Sequence, residues 1–325
     1  MNKNIGIYKR IVAIGLCMSM IWGMSISSSA AVVGRGASNS IRTAVSSSPG
    51  AVTNMLGGAT IYMPSNQSAS QMESFLITTA DGQLIVIDGG TAADEPYLKA
   101  LIMQRGGHVS AWFLTHAHAD HVGAITRMIN EDLVGVTIDN IYYNFPSIDF
   151  FRIYDSTRAD VAQACMDALA KMPAQVLHSN VSKGDIINIG DVRVEVMNTA
   201  YQLETDSGNN SSVVYKFTIN GKKIIFLGDL GYEGGKKFLE ENADVDLKCD
   251  IVQLAHHGQN GVDKEVYEKM RPTVALWCTP DWLWRNDNGG GDNSGPWDTI
   301  TVRNWMQSLG VRYNFCIKDG NQTIN

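Results

Sequence analysis

Two periodicities run through this chain. Short apolar runs rich in β-branched and aromatic residues, bounded by Gly, Asp and Asn, predict strands; stretches with apolar residues three and four apart predict helices. Order is expected to begin near Ala59. Strands at 74–79 and 83–87 flank Asp81-Gly82, a pair suited to a tight hairpin turn. A helix over 95–105 leads to the apolar run 109–114, a buried strand, and then to a helix with Val122, Ile125, Met128 and Ile129 on one side. Strand 137–143, helix 156–171 and short strands at 185–189 and 192–197 follow. The second half opens with another hairpin, 213–219 and 223–227 around Asn220-Gly221, and continues with strand 250–254, helix 264–270, strand 273–278, helix 299–309 and strand 311–316. Strands and helices alternating in this way predict an α/β chain of two mixed sheets packed face to face with helices outside. No repeat of solenoid length is present.

The first 31 residues stand apart. Lys3, Lys9 and Arg10 precede an apolar core at 11–26, and Ser28-Ser29-Ala30-Ala31 offers small residues for cleavage, the layout of a secretory signal peptide. An uncleaved anchor is the alternative, since the apolar run is fairly long. Residues 32–57, rich in Ser, Ala, Gly and Asn, read as a flexible lead-in, which leaves 58–325 as one domain. The expected location is secreted or at the cell surface, with no stable membrane span after cleavage. Losing the leader removes three basic residues and no acidic ones, so the formal charge moves from −7 to −10. An acidic chain lacks a general nucleic-acid-binding surface, although bound metal ions can supply a local positive field to a nuclease. Cys165, Cys249, Cys278 and Cys316 are too widely spaced for a disulfide scaffold; Cys278 and Cys316 each end an apolar run and either pair or remain buried thiols.

The chemistry concentrates in Thr115-His116-Ala117-His118-Ala119-Asp120-His121. In an extended segment residues i and i+2 point the same way, so His116 and His118 can present imidazoles to one point. Asp120 falls where strand gives way to helix, an N-cap position, and His121 would begin the helix. Donors split in this way can hold two adjacent metal ions, one on His116 and His118, the other on Asp120 and His121. Strand ends elsewhere deliver more candidates: Asp88-Gly89-Gly90, Gly228-Asp229-Leu230 and Ala255-His256-His257-Gly258.

In this order these segments resemble the metallo-β-lactamase-fold hydrolases, whose signature is HxHxDH, over roughly residues 59–325. The resemblance implies an αββα sandwich and a dinuclear centre, with Zn2+ the expected metal and Mn2+ the alternative. It implies that Asp88 supports the metal-binding loop (a simple turn role being the alternative) and that Asp229 bridges two ions. One of His256 and His257 would complete the second site, and the other would face substrate or donate a proton. One family feature is missing. Members place a third histidine for the first metal where this chain has Asn209-Asn210-Ser211; His178 lies too far upstream, and a neutral amide oxygen is a poor zinc ligand beside imidazole. The first site is therefore expected to be weaker, more open or better suited to manganese.

The same segments resemble one branch of the family, that of the hydrolase domain of the bacterial competence DNA-uptake protein, which implies a phosphodiesterase or nuclease. Aspartate at 229 argues against a β-lactamase. The implied mechanism has two ions sharing a hydroxide and the Asp229 carboxylate, with Asp120, Asp229 and His257 in catalytic roles. Asn209 or Asn210 could donate a hydrogen bond to the substrate anion, and Tyr232 and Glu233 follow closely. Trp282-Leu283-Trp284 leads into a glycine- and asparagine-rich loop at 286–295, where rings can stack on a base or enclose a quaternary ammonium; Trp277 and Trp305 read as core. The expected substrate is a small-molecule or oligonucleotide phosphodiester. Carboxylic ester, thioester or lactone hydrolysis, a phosphocholine-type esterase and a binding protein with a degenerate site are the alternatives.

Overall fold

A strand that alternates two apolar faces has to be covered on both, and that requirement sets the architecture. The computed structural model describes residues 54–325, so the leader and most of the lead-in lie outside the described residues. The first half runs β1 (Thr60–Met63), β2 (Ser74–Thr78), β3 (Leu84–Asp88), α1 (Glu95–Gln104), β4 (His108–Val109), β5 (Ala111–Phe113) and α2 (Ala119–Asn130). Then come β6 (Thr137–Ile138), β7 (Ile141–Tyr142), α3 (Ile148–Tyr154), α4 (Ala159–Leu169) and β8 (Leu177–His178). The second half begins with β9 (Ile186–Ile189), β10 (Val192–Val196), α5 (Ser207–Asn210), β11 (Tyr215–Ile219), β12 (Lys222–Phe226), α6 (Tyr232–Glu241) and β13 (Ile251–Gln253). It ends with α7 (Lys264–Met270), β14 (Val274–Trp277), α8 (Asp281–Trp284), α9 (Thr299–Ser308), β15 (Tyr313–Cys316) and β16 (Gln322–Ile324).

Two seven-stranded sheets result, ordered β16-β1-β2-β3-β5-β7-β8 and β15-β14-β13-β12-β11-β10-β9. Each carries antiparallel pairings on one side of its middle strand, β3 or β12, and parallel ones on the other. Period-2 alternation divides the side chains. Phe75, Ile77, Ile85 and Ile87 enter the core between the sheets with Phe217, Phe226 and Leu276. Leu76, Leu84 and Val86 face outward beneath α1 and α2, against Leu98, Ile102, Val122 and Ile125. On the far side Ile225, Val252 and Ala275 lie beneath Phe238, Tyr267 and Met306. The expected αββα sandwich is the observed one.

Local turn chemistry agrees with the reading at Asn220-Gly221, where φ values of 48° and 72° supply the two left-handed residues a tight hairpin needs. Other expectations need correction. Strand 137–143 is broken, because the Asn140 side chain turns to donate to the Ser110 carbonyl at 3.0 Å; β4 and β6 then pair as a separate ribbon. Residues 54–57 are not lead-in: the Met55 N–H donates to the Asn325 carbonyl at 2.9 Å and Leu56 is buried. Of the two readings of Cys278 and Cys316, the buried free thiols are the ones observed. Cys316 is in register with Trp277, so Cys278 falls on the opposite face of the sheet and the two cannot bridge. Among the described residues no helix is long and apolar enough to cross a membrane.

The topology also gathers chemistry. β3 and β5 are parallel, as are β12 and β13, so the loops after all four strands leave from the same end of their sheets. α2 is pressed against the loop after β3 at Gly123, where a Cβ would lie 2.5 Å from the Ala92 nitrogen and 2.8 Å from the Thr91 carbonyl carbon. Gly to Ala inside a helix normally stabilises by about 0.5–1 kcal/mol. Gly123→Ala is expected to do the reverse, costing about 1–3 kcal/mol through overpacking against backbone. A urea midpoint at or above that of the parent protein would contradict this.

Candidate metal centre

The chain stays extended through His118 (φ −86°, ψ 157°), which is the N-cap of α2, and helix begins at Ala119. Asp120 is therefore in the first turn and not the N-cap. Its carboxylate turns away from the helix backbone toward His257 Nε2, 3.1 Å distant. Asp229 follows β12, where the Gln253 side-chain oxygen accepts from the Leu227 and Gly228 N–H groups at 2.6 and 2.9 Å. His256 and His257 follow β13, both with left-handed backbone, φ 53° and 56°. Two adjacent non-glycine residues in that region store strain, which native folds retain where a site requires the geometry.

Each histidine uses one ring nitrogen for support and keeps the other for the centre. His121 Nδ1 lies 2.7 Å from Asp88 Oδ2, leaving Nε2 at 3.2 Å from Asp229 Oδ1. His257 Nδ1 lies 3.0 Å from the Cys278 carbonyl, leaving Nε2 between Asp120 and Asp229. His116 Nδ1 is 3.2 Å from Thr115 Oγ1, and its Nε2 faces inward. His118 reverses the pattern: Nε2 lies 2.7 Å from Asp155 Oδ2, so Nδ1 is the nitrogen not used for support. A carboxylate or carbonyl on the outer nitrogen is the usual support of a metal-bound imidazole. The inward atoms His116 Nε2, His121 Nε2, His257 Nε2 and Asp229 Oδ1 are buried with no hydrogen-bond partner among the described residues. An unpaired buried polar atom costs about 1–3 kcal/mol, so four converging ones make sense as a donor set for cations. Asp229 spans the set, with Oδ1 beside His121 and Oδ2 3.5, 3.8 and 3.9 Å from His257, His256 and His116.

The sequence profile described as Metallo-beta-lactamase superfamily matches residues 72–276, a span containing all of these donors. This chain belongs to the metallo-beta-lactamase superfamily. An uncharacterized protein of Aquifex aeolicus (strain VF5) is 26% identical over 175 residues, covering 53% of this chain and 72% of that one. Among solved structures, the metallo-beta-lactamase fold protein YhfI from Bacillus subtilis matches with a TM-score of 0.50 at 10% identity, over 82% of this chain and 98% of its own. A variant of the CmlA beta-hydroxylase also reaches 0.50, at 11% identity over 82% of this chain and 54% of its own. These structural likenesses show the fold.

Within the superfamily fold the electrostatics are those of a metal pocket before its cations. Burial would raise Asp229, but His121, His257 and His256 outweigh it and hold the carboxyl well below its usual range. Burial likewise lowers the His257 imidazole, and Asp229 with Asp120 overcomes this, lifting it to about 10. His116, buried and beside His121 and His118, is pushed well below its usual value and is neutral, ready to ligate. Sequence reasoning did not find Asp155 or Glu73. Glu73 is fully buried, 3.2 Å from Gln253 Nε2, and burial lifts it to about 8 even with His121 and His257 nearby. Its only sequence trace is a charge immediately before the apolar β2. Asp155 left no trace, since it meets His118 across 37 positions.

The other candidates divide. Asn209 is buried at the centre, its Nδ2 donating to Asp206 Oδ1 at 2.8 Å. Asn210 is not a substrate contact: its Oδ1 accepts from the Gly231 and Gly234 N–H groups at 3.0 and 2.9 Å, capping α6, and its Nδ2 donates to the Thr205 carbonyl. Trp284 is also core, packed edge-on against Trp277 at 5.1 Å beneath the Arg303 guanidinium. Trp282 is half-buried and pairs with Trp297 at 5.0 Å, and the backbone N–H of the next residue, Asp298, donates to Asn260 Oδ1 beside the His256 turn. Tyr232 opens α6 and is exposed.

Two outcomes follow from this geometry. Below about pH 10 the metal-free His257 carries a proton that a cation must displace, so zinc uptake at pH 8 is expected to release protons and affinity to rise with pH. Calorimetric titrations in buffers of differing ionisation enthalpy read this directly; uptake without proton release would contradict it. Asp155→Asn keeps the shape but loses the charge behind His118, and is expected to weaken one ion's binding by roughly 10–100-fold, measured by competition with a chelating indicator.

Proposed function

We propose that this protein is an exported hydrolase that cleaves phosphodiester bonds with two divalent cations, zinc or manganese. The observation that carries this is Asp229, a fully buried carboxylate whose two oxygens reach both donor sets. His116 Nε2, His118 Nδ1 and Asp229 would hold one ion, and Asp120, His121 Nε2, His257 Nε2 and Asp229 the other. When bound, such a pair lowers the pKa of water toward neutrality and stabilises charge on the oxygens of an attacked phosphorus. The chain's own residues fix the geometry. Asp88 and Asp155 set the tautomers of His121 and His118, and Gln253 braces the turn that presents Asp229.

Asn209, anchored by Asp206, stands beside the first donor set and is the one asparagine left to orient a substrate. Asp155 and Asp206 flank that set, a setting that favours a small phosphodiester over a long polyanion. The resemblance to the branch containing the competence protein's hydrolase domain, and the leader-like residues 1–31, support the substrate and the export respectively.

The test is hydrolysis of a chromogenic phosphodiester by protein loaded with zinc or manganese, with esters, thioesters and lactones assayed in parallel. Phosphodiester turnover that falls to background in Asp229→Ala, with the fold retained by circular dichroism, is the expected result. Turnover confined to carboxylic substrates would replace the phosphodiester reading, and no turnover by fully loaded protein would remove the catalytic one.

A further inference from the structure

The superfamily's third histidine for the first metal is missing at Asn209, yet an imidazole still occupies its neighbourhood. We propose that His256, delivered from the other sheet, supplies the third nitrogen ligand of the first ion. This rests on the dinuclear reading above and sharpens it.

Four observations converge. First, His256 Nε2 lies 3.5 Å from Asn209 Nδ2, so the ring reaches the side chain standing at the expected ligand position. Second, its Nδ1 lies 3.3 Å from the Asn260 carbonyl, which only an N–H can satisfy; that leaves the lone pair on Nε2, the same support-outside, donor-inside arrangement as His121 and His257. Third, His256 Nε2 and His116 Nε2 stand 3.8 and 3.9 Å from one oxygen, Asp229 Oδ2. Ligands of a tetrahedral ion with bonds of about 2.0–2.2 Å lie about 3–4 Å apart, so these atoms are spaced as neighbours around one cation.

Fourth, the left-handed turn at His256 and His257 sends consecutive rings in different directions, their centroids 6.2 Å apart. His257 goes to Asp120, and His256 goes to Asn209. In an ordinary strand end one of the two would point out of the site. With His116, His118 and His256 the first site is nitrogen-rich and suits zinc, the reverse of the weak, manganese-leaning site that Asn209 alone would make. The His256 side chain is one-fifth exposed, so the ion it holds lies on the open side of the centre.

Two measurements test this. In the unaltered protein loaded with cobalt(II), the paramagnetically shifted exchangeable N–H signals count the coordinated imidazoles. Five are expected, from His116, His118, His121, His256 and His257; four with both sites filled would overturn the assignment while leaving the dinuclear reading intact. The second measurement is zinc competition titration of His256→Asn, a replacement that tolerates left-handed backbone. One of two binding steps is expected to weaken by more than the roughly 10–100-fold that loss of a supporting partner costs, with the other step unchanged. Installing Asn209→His in the same variant is expected to restore it. Unchanged titration of His256→Asn, or a larger loss in Asn209→Ala, would overturn the assignment. An unaltered protein that saturates at one ion or none would overturn both readings.

Discussion

The rest of the structure answers to the concentration of buried negative charge. Asp88 and Asp229 are sealed from water within one small volume, with Asp120 at its edge and Glu73, which burial lifts to about 8, beside them as a neutral acid. Moving a carboxylate into such a place costs several kcal/mol even after relaxation, and several together repel one another. Protonated imidazoles of His121 and His257 offset this in the metal-free chain, and cations do so better because they also satisfy the lone pairs left unpaired. The two sheets exist, in this sense, to hold charges where water cannot reach them. Parallel strands deliver their ends together, and the apolar core between Phe75, Phe113, Phe217 and Phe226 keeps those ends from drifting.

The layered fold was legible because its determinants are local. The apolar run at 84–87, the Asn220-Gly221 turn and the helix Lys264–Met270 are written in neighbouring residues, and the structure places all three as read. The break in strand 137–143 was not legible, since it depends on Asn140 reaching a carbonyl 30 positions away. The donor list was visible in the clustering of rare residue types, and the fold brings Asp120, His121, His257 and Asp229 together. The supporting groups were not: Asp155 and Glu73 meet their histidines only through tertiary structure. Asn210 and Trp284 misled because a polar residue next to a site, or an aromatic next to a loop, looks the same in sequence whether it faces substrate or completes a helix cap or a core.

Rigidity around the donors comes from polar contacts that leave little slack. Gln253 alone accepts from two backbone N–H groups of the Asp229 turn and donates to Glu73, joining the second sheet to the first. Gly208 is bare because any side chain there would collide with the paired His118 and Asp155. Such a network favours one arrangement, and among the buried atoms without a partner are His116 Nε2, His121 Nε2, His257 Nε2 and Asp229 Oδ1, aimed at the centre.

Those donors are drawn from both sheets: Asp120 and three histidines from the first, Asp229 and two histidines from the second. Cations seated among them would act as a removable cross-link between the halves. Because such ions bind the folded chain and not the unfolded one, a free-ion concentration a thousand times the dissociation constant adds about 4 kcal/mol to stability. The lifetime of the folded protein then follows the metal supply of its surroundings, and a chelator would act on it as a reductant acts on a disulfide-bonded domain.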